Sequence, residues 1–387
     1  MAMQCIDSPL SGLWAPQSHL KHLYYGAGCV EKHLISILPS SSSKVFIITG
    51  SSLSTKTPLI RRLEALLGDF HAGTYDGIKQ HGQEDGVYEA TELVMSRLEV
   101  VDTILSVGGG SPIDSAKTVV FRIHEQKGKE LVHVTIPTTL SAAECTAGGG
   151  FTRRDGTKAG FMDPSMGIAA ILYDATFARL TPPRLWLSTG MRALDHAVET
   201  MYHPNASEMP WKALALWSAA GLAEGLPQAK MVHGSDDDIS YNVTTKLQLA
   251  AFASSGLRGS NFRAPMGLSH SLGHALGSPY GIPHGETSCL TLAPVIRHKA
   301  ENSTVAATQI ARLLPAMGGQ RRHGSDLADA LQVAQRVEDL VVELDLAQPN
   351  LKARGVHRDQ ATVIAAKVSK QGQESQDEIL GLVEALF

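Results

Sequence analysis

The four cysteines of this 387-residue chain, Cys5, Cys29, Cys145 and Cys289, form no CxxC pair and no cluster. That argues against a disulfide framework and against a zinc knuckle, and points to a reducing compartment. Long apolar runs are also missing, since none reaches the ~18 residues that a spanning helix needs. No stretch is strongly basic and the net charge is −4, so nucleic acid and anionic membranes are poor partners. The N-terminus, MAMQCIDSPLSG, has neither a basic n-region nor an apolar h-region. No signal peptide is read there, and the expected location is cytoplasmic. Internal repeats are absent.

With 43% hydrophobic and 19% charged residues, the composition suits a two-domain enzyme with substantial cores. Over the first ~180 residues, short β-rich runs alternate with amphipathic helices. Val45–Thr49 reads as a strand entering the turn Gly50-Ser51-Ser52, followed by a helix over Thr55–Leu67 whose apolar face is Leu59, Ile60, Leu63, Leu66 and Leu67. Thr103–Val107 and Val132–Ile136 read as further buried strands. This pattern predicts a doubly wound, Rossmann-like α/β domain over 1–180. After Thr181-Pro182-Pro183, Ala/Leu-rich helical segments take over, so 181–387 is expected to be an all-α catalytic domain. Gly234–Asp238 and Gly318–Ser325 read as exposed loops, the acidic run in the first being solvated rather than a cation site.

Gly108-Gly109-Gly110-Ser111-Pro112-x-Asp114-x-x-Lys117 follows a strand and opens a helix. Glycines let backbone approach a pyrophosphate, and the helix start offers unpaired N–H groups and a positive dipole end. The string is not G-x-G-x-x-G, so the ordinary dinucleotide fingerprint does not apply. In the second half, His270 and His274 are four apart and share a helix face, while His284 lies on a Gly/Pro-rich segment that sets a loop or a helix start. Together with His196, these imidazoles are of the type that binds a catalytic divalent ion.

GGGSPIDSAK resembles the signature of the iron-containing alcohol dehydrogenase family. Ile136–Thr139 with Ala142–Thr146, Gly190–Glu199 (GMRALDHAVE) and Leu268–Gly285 continue the resemblance in family order. RALDHAVE and HGETSC resemble the maleylacetate reductase branch in particular. The resemblance implies the dehydroquinate synthase-like, iron-type alcohol dehydrogenase fold. It implies a dinucleotide held by Gly50, Ser51, Gly108, Gly109, Gly110, Ser111, Asp114, Lys117, Thr138, Thr139 and Lys158. It also implies a homodimer, and it places His196, His270 and His284 at metal-ligand positions and His274 near the nicotinamide as a proton relay.

One position departs from the family pattern. Arg192 stands where the ligand aspartate belongs, and arginine has no lone pair and is always charged. A divalent metal is therefore not expected. Asp195 does not simply take over, being adjacent to His196 and about 100° round the helix from it instead of one turn before it. A fixed Arg192 would stabilise the developing alkoxide or hold a substrate carboxylate, with pairing to Asp195 or Glu199 as the plain alternative. Arg263 is a second candidate for a carboxylate, and Cys289 reads as a structural thiol. With Gly50 where an acidic ribose ligand often stands, and Ser51, Ser52, Thr55 and Lys56 beside it, NADPH is expected to be accepted alongside NADH.

These residues point to an NAD(P)H-dependent reductase of a keto acid or related carbonyl compound, working without a metal. The rival readings are a non-redox lyase, isomerase or cyclase on the same fold, and a non-catalytic scaffold. Either enzyme reading implies a small carbonyl or carboxylate substrate.

Overall fold

The computed structural model describes residues 13–16, 19–260, 266–321, 324–348, 350–370 and 374–387, except for the side chain of Lys158. Eight strands are present among them: β1 His22–Tyr25, β2 Val45–Ile48, β3 His71–Tyr75, β4 Thr103–Gly108, β5 Val132–Pro137, β6 Gly148–Thr152, β7 Lys158–Met162 and β8 Ala170–Tyr173. Six of them form one parallel sheet in the order β3-β2-β4-β5-β8-β1, while β6 and β7 make a separate antiparallel hairpin.

Alternation along β4 shows why helices cover both faces. Leu105 and Val107 pack with Leu59, Leu63 and Leu67 on one side. Ile104 packs on the other with Val87, Ala90 and Val94, and with Val119, Val120 and Ile123. Each such side chain contributes roughly 1.5–3 kcal/mol on burial, and a parallel sheet needs both faces dry. The expected Thr55–Leu67 helix is two helices, Ser51–Lys56 and Leu59–Leu67. Thr57 is extended (φ −134°, ψ 159°) because Pro58 follows it and disfavours the helical region.

The chain runs from β2 outward to β3 and then returns to place β4 on β2's other side. Strand order reverses there, and in open α/β sheets the ligand crevice lies at the carboxyl ends of the strands flanking such a reversal. Thr49 and Gly50 leave β2 at that edge, Gly109 leaves β4, and Thr138 leaves the adjacent β5. The Thr49 hydroxyl donates to the Val107 carbonyl at 2.8 Å and ties the first two together.

From Pro183 onward the described residues form helices and loops only. Helix Pro183–Tyr202 is buried without a break from Trp186 to Met201. Its apolar residues Leu187, Met191, Leu194, Val198 and Met201 join the main core of this half. Arg192, Asp195, His196 and Glu199, spaced i, i+3, i+4, i+7, form the polar stripe left over. The acidic loop is structural: Asp236 pairs with Arg179 at 2.8 Å, and Asp237 accepts from the Ser240 N–H to cap the next helix. None of the described helices is long and apolar enough to cross a membrane.

Candidate active site

The glycine turn begins helix Gly110–Lys127, whose first turn has no side-chain cap, so its leading N–H groups face the crevice. A Cβ on Gly109 would come within 3.0 Å of the Thr139 methyl, and Gly108 has φ +136°. The turn is thus a cradle that side chains would fill, and it fits a pyrophosphate. The buried Ser141 hydroxyl, with no partner among the described residues, lies beside Gly110. Sequence reasoning missed Ser141, which carries no motif signal of its own.

Other residues assigned to the cofactor are differently engaged. The Lys117 side chain is fully buried, and its ammonium donates to the carbonyls of Ala143 (2.5 Å) and Gly148 (2.7 Å) and pairs with Asp114 at 3.4 Å. Burial lowers its pKa, opposed by Asp114 and Glu144. It anchors the chain around the β6–β7 hairpin instead of facing a phosphate, which corrects the expectation for that residue. The Ser111 hydroxyl accepts the His81 N–H at 3.0 Å. Thr138 is buried, its N–H donating to the Gly108 carbonyl and its own carbonyl accepting from Thr181. Lys158 opens β7 opposite Thr152.

At the adenosine end, Gly50 precedes helix Ser51–Lys56, which starts where a turn was expected, and Ser51 is exposed. The structure adds an acid there. Ser54 donates to the Asp76 carboxylate at 2.6 Å and to the Ser51 carbonyl at 3.1 Å. Asp76 belongs to the segment after β3, so only strand order reveals its proximity.

The histidines lie on three helices of the helical half, His196 being on Pro183–Tyr202. Helix Leu268–Tyr280 carries His270 and His274, and His284 is the first residue of helix His284–Asn302. Close approach depends on two glycines of the former. A Cβ at Gly273 would meet the Thr287 hydroxyl at 2.8 Å and Arg192 Nη1 at 3.2 Å, and one at Gly277 would meet His284 Cε1 at 2.9 Å. The start of Leu268–Tyr280 is held by Glu199, whose carboxyl accepts the N–H groups of Ser269 (2.7 Å) and His270 (3.2 Å). An acid at a helix N-terminus completes its unpaired donors.

The four imidazoles form a file. Ring centroids are 5.4 Å apart for His196–His270, 4.6 Å for His270–His274 and 5.2 Å for His274–His284. Arg192 stands behind them, only 5% exposed. Its Nη1 donates to Asp195 Oδ2 and to the Ser288 hydroxyl, both at 3.1 Å, and its Nη2 donates to His270 Nδ1 at 2.6 Å. Asp195 Oδ2 also accepts from Ser288 (2.6 Å) and Ser269 (3.0 Å). So Arg192 makes the i, i+3 pair and contacts the histidine file at once. It reaches the cleft through His270 and does not line it, which corrects its expected place at the carbonyl. Ser269 and Ser288 gave no signal in the sequence.

Burial sets the electrostatics. It pushes the pKa values of His196 and His270 well below the usual imidazole range, reinforced at both by the Arg192 charge. Burial pushes Glu199 up, and the neighbouring Asp195 adds to that. At Asp195 the same upward push is opposed by Arg192 and the serine hydroxyls. Cys289 is held up at about 12 by burial, an inert thiol that donates to the Gly285 carbonyl.

These residues do not fit a divalent ion. Arginine only donates, so His270 Nδ1 must accept, and the sole proton of this neutral ring is on Nε2. That N–H lies 2.9 Å from His274 Nε2. Both His270 nitrogens are thereby engaged, and a guanidinium sits alongside. Among the described residues no group of three or more His, Cys, Asp or Glu side chains is arranged to hold a metal. Arg263 lies outside the described residues.

Comparison with known proteins agrees with this layout. The family model described as iron-containing alcohol dehydrogenase matches residues 21–175, and its C-terminal counterpart matches 186–379. The chain belongs to the iron-containing alcohol dehydrogenase family. Maleylacetate reductase 2 of Cupriavidus pinatubonensis (strain JMP 134 / LMG 1197) is 29% identical over 304 residues, 79% of this chain and 78% of that one. The 4-hydroxybutyrate dehydrogenase of Cupriavidus necator is 26% identical over 371 residues, 88% of this chain and 90% of its own. The crystal structure of maleylacetate reductase from Rhizobium sp. strain MTP-10005 superposes with a TM-score of 0.77 at 20% identity, covering 97% and 98% of the two chains, and shows a shared fold. The chain is an oxidoreductase of the family's maleylacetate reductase-like branch, and members of the family depend on NAD(P).

Proposed function

We propose that this oxidoreductase reduces the carbonyl group of a small carboxylate-bearing substrate with NADH or NADPH, and does so without a divalent metal. The observation that carries the reading is the donor chain from Arg192 through His270 to His274. Bound across Gly108–Gly110, the dinucleotide would supply hydride to the carbonyl carbon. Asp195, Ser269 and Ser288 hold the guanidinium. Arg192 fixes the His270 tautomer, and His270 fixes that of His274. The proton of a neutral His274 is then on Nδ1, and that N–H is the donor presented to the carbonyl oxygen.

Each ring in such a chain polarises the next, so the arginine's positive charge is felt at the far end. A metal would polarise the same oxygen as a Lewis acid. Here a fixed row of donors does it, with the pre-orientation that makes oxyanion stabilisation effective. His196 and His284 flank the row, and the two nearest carboxyls are engaged, Asp195 by Arg192 and two serines and Glu199 by helix amides. The cleft so built favours an anionic substrate. Names among the relatives, maleylacetate reductase and 4-hydroxybutyrate dehydrogenase, support a carboxylate on it. Asp76 near Ser51 weighs toward NADH over the 2′-phosphorylated cofactor. We further read a nucleotide domain over 1–180, a helical domain over 181–387, a homodimer, and a cytoplasmic location.

The test is oxidation of NADH and of NADPH by chelator-treated protein, with maleylacetate and then succinic semialdehyde as acceptors. Turnover undiminished by chelation supports the reading. Turnover that appears only on adding zinc or iron sinks its metal-free part.

A further inference from the structure

The sheet-bearing and helical halves of the chain meet at the glycine turn, and they are fastened unequally on its two sides. On the β5 side the fastening is broad. The chain itself crosses from one half to the other at residues 181–183. Beside the crossing, the Thr181 hydroxyl donates to the Thr138 carbonyl at 2.6 Å, and the Leu140 N–H donates to the Thr189 hydroxyl at 3.1 Å, both buried. Gln248 Nε2 adds a buried bond to the Pro137 carbonyl at 3.4 Å.

The other side is reached by the loop after β3, which lies beyond β2 on the side of β4 away from β5. His81 and Gly82 in this loop are both left-handed, with φ +65° and +60°, a bend that needs outside support at the non-glycine position. The sheet-bearing half supplies that support. The His81 N–H donates to the Ser111 hydroxyl in the glycine turn at 3.0 Å. A Cβ on Gly82 would come within 3.0 Å of the Ser115 hydroxyl, so the loop lies directly on helix Gly110–Lys127. Thr152, at the end of β6, donates its N–H to the Gly82 carbonyl at 2.7 Å and its hydroxyl to the His81 carbonyl at 3.1 Å.

A hydroxyl pair joins this assembly to the histidine helix. Ser278 Oγ lies 3.0 Å from Thr152 Oγ1. Thr152 has one hydroxyl proton and gives it to the His81 carbonyl, so Ser278 is the donor. Ser278 stands about one turn beyond His274 on the same face of helix Leu268–Tyr280. Lys79, Gln80 and Pro279, close by in sequence, are exposed, which puts the pair at the mouth of the cleft.

We propose that the Ser278–Thr152 bond is a clasp that paces entry and exit of the dinucleotide. The inference rests on the dinucleotide reading above. A nucleotide lying across residues 108–110 and reaching toward His274 has the covalent crossing on one side and the clasp on the other. It passes when the halves part at the mouth, where one hydroxyl bond breaks while the buried bonds beside the crossing stay made. Such gating motions set turnover in many enzymes. A single neutral hydrogen bond is worth about a three- to tenfold change in an equilibrium. The clasp joins protein to protein, so it acts on passage in both directions alike.

Stopped-flow fluorescence of NADH, and separately of NADPH, measures entry and exit for the unaltered protein and for Ser278→Ala, Thr152→Ser and Thr152→Val. Alanine suits the helix at position 278 and leaves the Thr152–His81 bond in place, so that variant keeps its fold. The expected result for Ser278→Ala is a rise of about three- to tenfold in both rates, with Kd within about twofold of the unaltered value. Thr152→Ser keeps the hydroxyl and should keep both rates. In the Thr152→Val background, Ser278→Ala should add nothing further, because the bond is already gone. Rates for Ser278→Ala within about twofold of the unaltered protein overturn the proposal. So does a rise in exit alone with a matching loss of affinity, which would make Ser278 a contact of the nucleotide itself. Binding of neither dinucleotide to the unaltered protein overturns the cofactor reading, and this inference with it.

Discussion

Arg192 Nη2 donates to His270 Nδ1 at 2.6 Å. One hydrogen bond thereby decides the tautomer of two histidines, because a neutral His270 has a single N–H left to give to His274. The contact also separates this site from a metal centre, since the guanidinium occupies the direction in which His270 would otherwise offer a lone pair.

Lysine at position 192 keeps the charge but not the fork. A single ammonium cannot span Asp195, Ser288 and His270 as the planar guanidinium does. Arg192→Lys is expected to lower kcat on the order of 100-fold, the scale of losing one oxyanion donor, with NADH affinity unchanged. Arg192→Met would also destabilise the fold by roughly 3–5 kcal/mol, because it leaves Asp195 buried without its cation. Steady-state kinetics and urea unfolding separate the two effects.

A buried histidine outside the site makes the stability sensitive to acid. His133 Nε2 lies 2.8 Å from the Ser106 hydroxyl, and burial, with Lys117 adding, lowers its pKa to about 3. Between that value and the ordinary value near 6.5, the unfolded chain binds a proton that the folded chain refuses. The stabilisation from a neutral His133 is thus complete above the unfolded value and is lost as pH falls toward the folded one. At about pH 5 the loss is about 2 kcal/mol. His133→Gln removes the titration, so the advantage of the unaltered protein over the variant should shrink by that amount between about pH 7 and about pH 5. Urea midpoints at the two pH values check it, and a constant difference would contradict it.

Coenzyme choice is expected to turn on Asp76. Its carboxylate meets Ser54 beside the Ser51 carbonyl, where a 2′-phosphate would bring like charge. Asp76→Ala should shift the ratio of kcat/KM for NADPH over NADH upward by about five- to tenfold, a modest effect because the group is exposed and screened. An unchanged ratio would remove Asp76 from the cofactor site.

Much of this was legible in sequence because the physics was local. The strands Val45–Ile48, Thr103–Gly108 and Val132–Pro137 announce themselves as compact apolar runs, the first followed within two residues by glycine and the others ending in glycine and in proline. The i, i+4 spacing of His270 and His274 follows from helix geometry alone, and so does the Arg192–Asp195 pair. What escaped depends on tertiary approach. Lys117 shares a motif with the glycine turn, yet its ammonium turns inward to carbonyls that only the β6–β7 region provides. Ser269 and Ser288 matter because Gly273 lets two helices close around the guanidinium. Asp76 and His81 come to the cleft through strand order and a left-handed residue, neither of which a hydrophobic pattern encodes.

The arginine also makes a prediction that runs in reverse. Arg192→Asp would free His270 Nδ1 of its donor and put a carboxylate where the family resemblance places a metal ligand. His196, whose Nδ1 is buried without a partner among the described residues, and His284 remain close to His270 along the file. Two effects compete. The new carboxylate lies near Asp195 and the buried Glu199, so without a cation the variant concentrates negative charge in a dry site and should be several kcal/mol less stable. A divalent ion relieves that repulsion and is bound by the same groups, so zinc should raise the melting temperature of the variant steeply and that of the unaltered protein little. Thermal unfolding with and without zinc, together with metal analysis after dialysis, tests both arms. Stoichiometric zinc in the unaltered protein would show that Arg192 moves aside, and the donor chain would then be a resting arrangement and not the working one.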